Sequence, residues 1–355
     1  MTTNNISFEY AGNQYVIGEG APTFIIAEVS ANHQGSLSRA KKIVQAAIDA
    51  GADAIKLQSY TPDTMTIDST KEEFMIRNNE LWEGKNLYEL YKEAQTPWEW
   101  HEELRDIVYD AGRVFFSSPF GASAVDLLEG LDVPIYKIAS FESTDPTLLR
   151  KVAGTNKPVI ISRGVSDEKD IQFFLNELRS HGCKDIALLH CVSSYPADPE
   201  QMNLATIPDM AIRYSVLTGL SDHTLGLAVP IASVGLGAHI IEKHLTLKRS
   251  DGGPDAAFSL EPDEFKQLVD SIRIVEKAIG KPTYNIGLEE QKSKLFRRSI
   301  YAIKDIKKGE TFTEENIRII RPGHGLDPKV YYVLLGKRSL RDIEAATPIT
   351  KNDFN

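Results

Sequence analysis

The chain is poor in cysteine: there are two in 355 residues, Cys183 and Cys191. That leaves no basis for a disulfide framework, and a reducing, cytoplasmic setting is expected. No stretch approaches the roughly 18 apolar residues of a membrane span. Residues Met1 to Tyr10 are polar and lack the apolar core of a signal peptide. Basic charge is not in excess either. A net charge of -10 argues against nucleic acid as a partner, because that affinity comes from neutralised phosphates. It leaves an anionic small molecule open, since a few Lys and Arg set the field of one pocket. Also missing is a G-x-G-x-x-G turn after the first apolar run, the mark of an open dinucleotide-binding sheet.

What is present is a repeat. After an expected hairpin over Ile6 to Val16, turning at Ala11-Gly12-Asn13, a short apolar strand, a polar end and an amphipathic helix recur eight times. The strands read as Thr23–Val29, Ala54–Gln58, Val114–Ser117, Ile135–Ile138, Val159–Ser162, Ile186–His190, Val216–Leu220 and Ile240–His244. Near-continuous apolar runs of this length fit parallel strands buried on both faces. Helices are expected at Leu37–Ala50, Trp98–Ala111 and Asp167–His181, each followed by Gly. Eight such units over about 250 residues define a (β/α)8 TIM barrel, with an open doubly wound sheet as the weaker alternative. The insert from Thr61 to Thr96 carries Trp82, Tyr88 and Tyr91 and a helix near Asn86–Gln95; it is too long for an ordinary loop and reads as a packed excursion over the barrel top. Structure breaks near Pro282, Asn285 and Gly287. The expected organisation is an N-terminal extension over 1–22, a barrel over 23–280, a linker over 281–294 and a small β-rich module over 295–355. In that module Thr313 reads as a cap with Glu314 and Glu315 behind it.

Residues at strand C-termini face the active site of such a barrel. The last two strands end in Ser221-Asp222-His223-Thr224 and Glu242-Lys243-His244. Two imidazoles from consecutive strands can hold one divalent metal; the alternative is one core histidine and one surface histidine. Lys56 and Lys137 lie in apolar strands, where an unpartnered ammonium is costly. With hydroxyls at Ser118, Ser140, Ser162 and Ser221 they make a coherent site for phosphate and carboxylate groups. Separate Lys–Glu bridges are the competing account.

Three long segments, Asn86 to His101, Ser194 to Leu204 and Arg249 to Leu260, together with these strand ends, carry a resemblance. Over its whole length the chain resembles the sialic acid (nonulosonic acid) synthases, whose barrel is followed by an antifreeze-like (SAF) module. The resemblance implies condensation of phosphoenolpyruvate with an open-chain acetamido sugar, releasing phosphate. The three segments are similar to the branch whose sugar is 2,4-diacetamido-2,4,6-trideoxy-L-altrose. Another nonulosonic acid, N-acetylneuraminate or legionaminate, is the alternative product. The resemblance further implies Mn²⁺ or Mg²⁺ on His223 and His244, and Glu28 as the group that handles protons, unless Glu28 only partners Lys56 or Lys137. Phosphoenolpyruvate would be held by Lys56, Lys137, Ser118, Ser140, Ser162 and Ser221. Gln58, Glu142, Tyr195 and Asp255 would face the sugar. Arg321, in Arg321-Pro-Gly-His-Gly325, would reach a partner's site in a domain-swapped homodimer. Two departures stand out. Ser162-Arg163-Gly164-Val165 replaces the usual Ser-Thr-Gly-Met, so Arg163 either adds a phosphate ligand or turns outward. Ser193 stands where synthases of N-acetylneuraminate commonly have Asn, which favours a different sugar. A pyruvate aldolase would have no use for the phosphate-type site, and a purely carbohydrate-binding or ice-binding protein would leave the polar strand ends unexplained.

Overall fold

A computed structural model describes residues 5–77 and 84–355; Trp82 lies outside them. The chain divides into two compact units, Met1–Gly280 and Lys281–Asn355.

The first unit opens with an antiparallel hairpin, β1 (Ile6–Tyr10) and β2 (Asn13–Ile17). It sits at the N-terminal ends of the barrel strands, where the Tyr15 hydroxyl donates to the carbonyl of Gly112 (2.6 Å). Eight parallel strands follow: β3 (Phe24–Glu28), β4 (Ala54–Ser59), β5 (Val114–Pro119), β6 (Tyr136–Ile138), β7 (Val159–Ser162), β8 (Ile186–Cys191), β9 (Leu217–Asp222) and β10 (Ile240–His244). Their order is β5-β4-β3-β10-β9-β8-β7-β6. That is sequence order read around a ring, with β10 hydrogen-bonded back to β3. A doubly wound sheet would reverse direction instead, so the architecture is the TIM barrel. β5 and β6 pack side by side without a continuous ladder, so the ring is nearly closed.

The helices form where apolar spacing and caps agree. Leu37–Asp49 is capped by Ser36, whose hydroxyl accepts from Arg39 N. Glu168–Ser180 has a capping box between Asp167 and Asp170. The expected helix from Trp98 splits into a 3-10 turn, Trp98–Trp100, and an α-helix, His101–Asp110. Within the insert, Leu87–Ala94 is helical and Asn86 caps it, its side chain accepting from Tyr88 N (2.7 Å). Both cysteines are free and buried.

The second unit has its own core of Ile300, Phe312, Ile317, Leu334, Ile343 and Ile349. Its antiparallel pair is β11 (Ser299–Ala302) with β12 (Ile317–Ile320). Thr313 does not cap a helix. Its N–H donates to the Asn316 side chain (2.7 Å), closing a turn that leads straight into β12. Among the described residues no helix is long and apolar enough to cross a membrane.

Candidate active site

Parallel register brings the strand ends together. Glu28 pairs with Lys56 across β3 and β4, Gln58 with Ser118 across β4 and β5, and His244 with Glu28 across β10 and β3. Above them is a cavity of about 600 Å³. Lys56, Gln58, Ser118, Lys137, Ser140, Glu142, Ser162, Tyr195, Ser221, His223, His244 and Asp255 all line it. Glu28 does not: it is fully buried behind Lys56, which it contacts directly, and its Oε1 accepts from Ser30 N (2.9 Å). Arg321 belongs to the second unit, exposed just after β12.

The lysines share one carboxylate that the sequence reading left out. Glu242 Oε1 receives Lys137 Nζ (3.1 Å) and the Ser221 hydroxyl (2.8 Å), and Lys56 Nζ lies 3.7 Å from Oε2. Lys56 also donates to Ser118 Oγ (3.2 Å). Two lysines and two glutamates thus balance in charge while nearly removed from water, which is what makes burying them tolerable. The four groups titrate differently. Burial works against the charge of Lys56, but Glu242 and Glu28 outweigh it and hold its pKa up. Burial prevails at Lys137, whose one glutamate is opposed by neighbouring Lys56, and its pKa falls. Burial likewise outweighs Lys56 at Glu28 and raises that carboxyl. At Glu242 the two lysines and the Ser221 hydroxyl overcome burial, and its pKa drops well below the usual range.

Two imidazoles stand beside this cluster, ring centres 5.3 Å apart. His223 Nδ1 lies 3.2 Å from the Val192 carbonyl. A carbonyl only accepts, so Nδ1 carries a proton, and Nε2 offers a lone pair when the ring is neutral. Burial works against charging this ring, but Cys191 and the Val192 carbonyl outweigh it and raise the His223 pKa. His244 Nδ1 is buried without a partner. Burial, then His223 and Lys56, push the His244 pKa well below its ordinary value, so the ring is neutral. Neutral nitrogens with a free acceptor are what a divalent metal takes. No group of three or more His, Cys, Asp or Glu suited to a metal occurs among the described residues. The pair therefore fits an ion whose other positions go to water or substrate. Behind the pair, Lys243 donates to Asp222 Oδ2 (2.6 Å) with both side chains at 0% exposure. This ties the β9 and β10 ends together one residue before each histidine.

Other polar atoms at the mouth also lack partners: Ser162 Oγ and Glu142 Oε2 are both buried and unpaired. Such orphans are costly unless a ligand satisfies them. Burial lifts the Glu142 carboxyl to about 7. A neutral group that is charged only at a cost favours the folded state at low pH. The stability Glu142 confers is complete below the ordinary glutamate pKa and is lost as pH rises through about 7. The ligand-free protein should therefore lose melting temperature over that window, and Glu142→Gln should remove that part of the decline in a calorimetric pH series.

Gly164 explains part of the strand-five departure. A Cβ there would lie 2.2 Å from Ser193 Oγ and 2.6 Å from Ser140 Oγ, so only glycine lets these three loops close on one another. Arg163 does not line the cavity. Its half-buried guanidinium has Cys191 and Tyr214 as charge neighbours, and Tyr214 ends the helix Thr206–Tyr214 outside the barrel. The Arg163 Nε is buried without a partner.

A TIM barrel whose strand ends join paired lysines, hydroxyls and two imidazoles in one cavity defines an enzyme acting on an anionic small molecule. Residues 43–284 match the NeuB family and residues 297–355 match the SAF domain. The chain belongs to the NeuB family. It is 44% identical to a pseudaminic acid synthase of Campylobacter jejuni over 93% of this chain and 96% of that one. It is 43% identical to a pseudaminic acid synthase of Helicobacter pylori over 94% and 98%. Among solved structures, a spore coat polysaccharide biosynthesis protein of Bacillus subtilis superposes with a TM-score of 0.65 at 34% identity, covering 98% of this chain and 99% of that one.

Proposed function

We propose that this enzyme condenses phosphoenolpyruvate with 2,4-diacetamido-2,4,6-trideoxy-L-altrose and water, giving pseudaminic acid and phosphate. The observation that carries the reading is the joining, in one cavity, of the Lys56–Lys137 anion site with the His223–His244 pair. The relatives that bear the name of this synthase over nearly their full length support the choice of sugar.

Lys56, Lys137 and the hydroxyls of Ser118, Ser140, Ser162 and Ser221 bind the phosphate and carboxylate of phosphoenolpyruvate through charge-assisted hydrogen bonds. Ser162 Oγ, now unpaired, gains a partner. Gln58, Tyr195 and Asp255 orient the sugar so that its aldehyde carbon meets the alkene carbon. Asp255 is itself fixed, taking the Ser30 hydroxyl and lying 3.3 Å from Ala31 N. His223 and His244 would hold a divalent metal, Mn²⁺ or Mg²⁺, which would supply Lewis-acid polarisation of the aldehyde oxygen. Carbon–carbon bond formation leaves cationic character on the carbon bearing phosphate. Glu28 and Glu242 supply counter-charge from the floor of the site. Water adds to that carbon, and Glu142, whose carboxyl burial holds near 7, takes its proton in the ionised form and passes it on to the former aldehyde oxygen. The adduct then expels phosphate by C–O cleavage.

The working unit is a homodimer in which the SAF module of one protomer covers the barrel mouth of its partner and delivers Arg321. In support, Phe141, Val165 and Leu225 on the loops after β6, β7 and β9 are each more than 60% exposed, and Tyr332 and Val333 are equally bare on the second unit.

The test is phosphate release by metal-stripped protein, with and without added Mn²⁺, using either the diacetamido altrose or N-acetylmannosamine. Metal-dependent release with the altrose alone is expected. Release with N-acetylmannosamine alone would overturn the sugar, and no release with either would overturn the reaction.

A further inference from the structure

The cavity has two chemically distinct sides. Its floor, from the barrel strands, is charged and hydroxylic. One wall comes wholly from the insert and presents Met65, Ile76, Leu87, Leu90, Tyr91 and Ala94. The polar groups the insert adds to the lining, among the described residues, are the Tyr91 hydroxyl and Arg77, and Arg77 is paired with Glu72 (3.0 Å). Tyr91 packs edge-on against Tyr60 (5.8 Å), which packs edge-on against Phe120 (5.3 Å), extending the apolar surface.

This wall is fastened at several points. Asn86 Nδ2 donates to the Ser69 carbonyl (2.6 Å), and the Tyr88 hydroxyl donates to Asp63 Oδ1 (3.1 Å). Ile76 N donates to the Lys85 carbonyl (2.9 Å). At the far end, Trp98 Nε1 donates to the Tyr60 carbonyl (3.2 Å). Leu90 is only 7% exposed. The apolar face is therefore preformed and does not wait for the sugar to order it.

We infer that this wall selects the sugar at C4 and C6, by taking the methyl of the 4-acetamido group and the C6 methyl. The inference rests on the proposed reaction. A sugar with its reacting end over the polar floor turns its far end towards the insert. There a hydroxyl would lose water and find almost no partner, whereas a methyl loses nothing by leaving water; the amide of the 4-acetamido group needs a polar partner, and the Tyr91 hydroxyl is the one this wall offers beside the paired Arg77. The wall thus rejects hexoses with free 4- and 6-hydroxyls as well as favouring deoxygenated, acylated ones, so selection is by repulsion and attraction together. One methyl-sized difference in an apolar pocket gives roughly 10–200-fold discrimination.

The test compares kcat/KM for 2,4-diacetamido-2,4,6-trideoxy-L-altrose with that for 2-acetamido-2-deoxy-L-altrose. The two share stereochemistry and differ at C4 and C6. Wild type, Leu90→Asn and the half-buried Leu87→Asn are assayed with saturating Mn²⁺. Leu87→Asn guards against a folding defect at the more buried position. The selectivity ratio should fall at least about tenfold in either folded variant, through sugar KM, with the phosphoenolpyruvate KM and the circular dichroism unchanged. A selective wild type with an unchanged ratio in both variants overturns the inference alone. A wild type that uses neither sugar overturns the proposed reaction, and this inference with it.

Discussion

Lys56→Met should weaken phosphoenolpyruvate binding roughly 10–150-fold and lower the melting temperature of the ligand-free protein by on the order of 10 °C. Lys56 contacts Glu28 and lies within 3.7 Å of Glu242, at 3% exposure. Without it, two buried carboxylates face Lys137 alone, and Glu28 has lost its direct partner. Breaking a buried ion pair from one side costs about 3–5 kcal/mol, and each kcal/mol moves the melting point of a domain this size by about 2–4 °C. The binding loss has a separate cause, the removal of a charge-assisted bond to the ligand, worth about 1.5–3 kcal/mol. The double variant Lys56→Met/Glu28→Gln separates the two. It removes the orphaned charge, so it should recover most of the melting temperature while phosphoenolpyruvate binding stays weakened. Calorimetry and titration of phosphoenolpyruvate read both effects. A single variant whose phosphoenolpyruvate affinity stays within threefold of wild type would show that the ammonium serves the fold and not the ligand.

The barrel was legible because each strand is buried on both faces and reads as a short apolar run. The interruptions by Lys56, Lys137 and the histidines were legible as site residues because nothing else justifies such groups in an apolar strand. Glu242 was missed although it stands two residues before His244. Side chains alternate along a strand, so Glu242 shares the inward face of His244, while Lys243 between them points away to Asp222. Period-two bookkeeping on that one strand would have found it. Glu28 stands at the end of β3, but its position behind Lys56 depends on side-chain reach across the register, which no single strand encodes. The insert read as packing over the barrel top. Its role in lining the cavity was hidden because apolar residues there fit a covering element and a binding wall equally well. Arg163 could not be placed from sequence, since its neighbours Cys191 and Tyr214 come from other elements of the fold.

His244→Ala should lower kcat at least about 10³-fold, and added Mn²⁺ should not restore it. The two imidazoles are the metal-type donors the cavity offers, with no third His, Cys, Asp or Glu completing a cluster among the described residues. A site with two protein ligands has no reserve: one imidazole and water cannot compete with bulk hydration, so affinity for the ion should fall at least about 10²-fold, the upper range of what losing even an outer-shell partner costs. The rate loss follows because polarisation of the aldehyde oxygen, worth several kcal/mol at the transition state, goes with the ion. Electron paramagnetic resonance of free Mn²⁺ against metal-stripped protein measures the affinity directly, without turnover. The phosphoenolpyruvate site gives the internal control, since Lys56, Lys137 and Glu242 keep their contacts in the variant and phosphoenolpyruvate should still bind. If Mn²⁺ binds the variant as tightly as wild type, the ion sits elsewhere, and the unpaired Nδ1 of His244 must be satisfied by substrate instead.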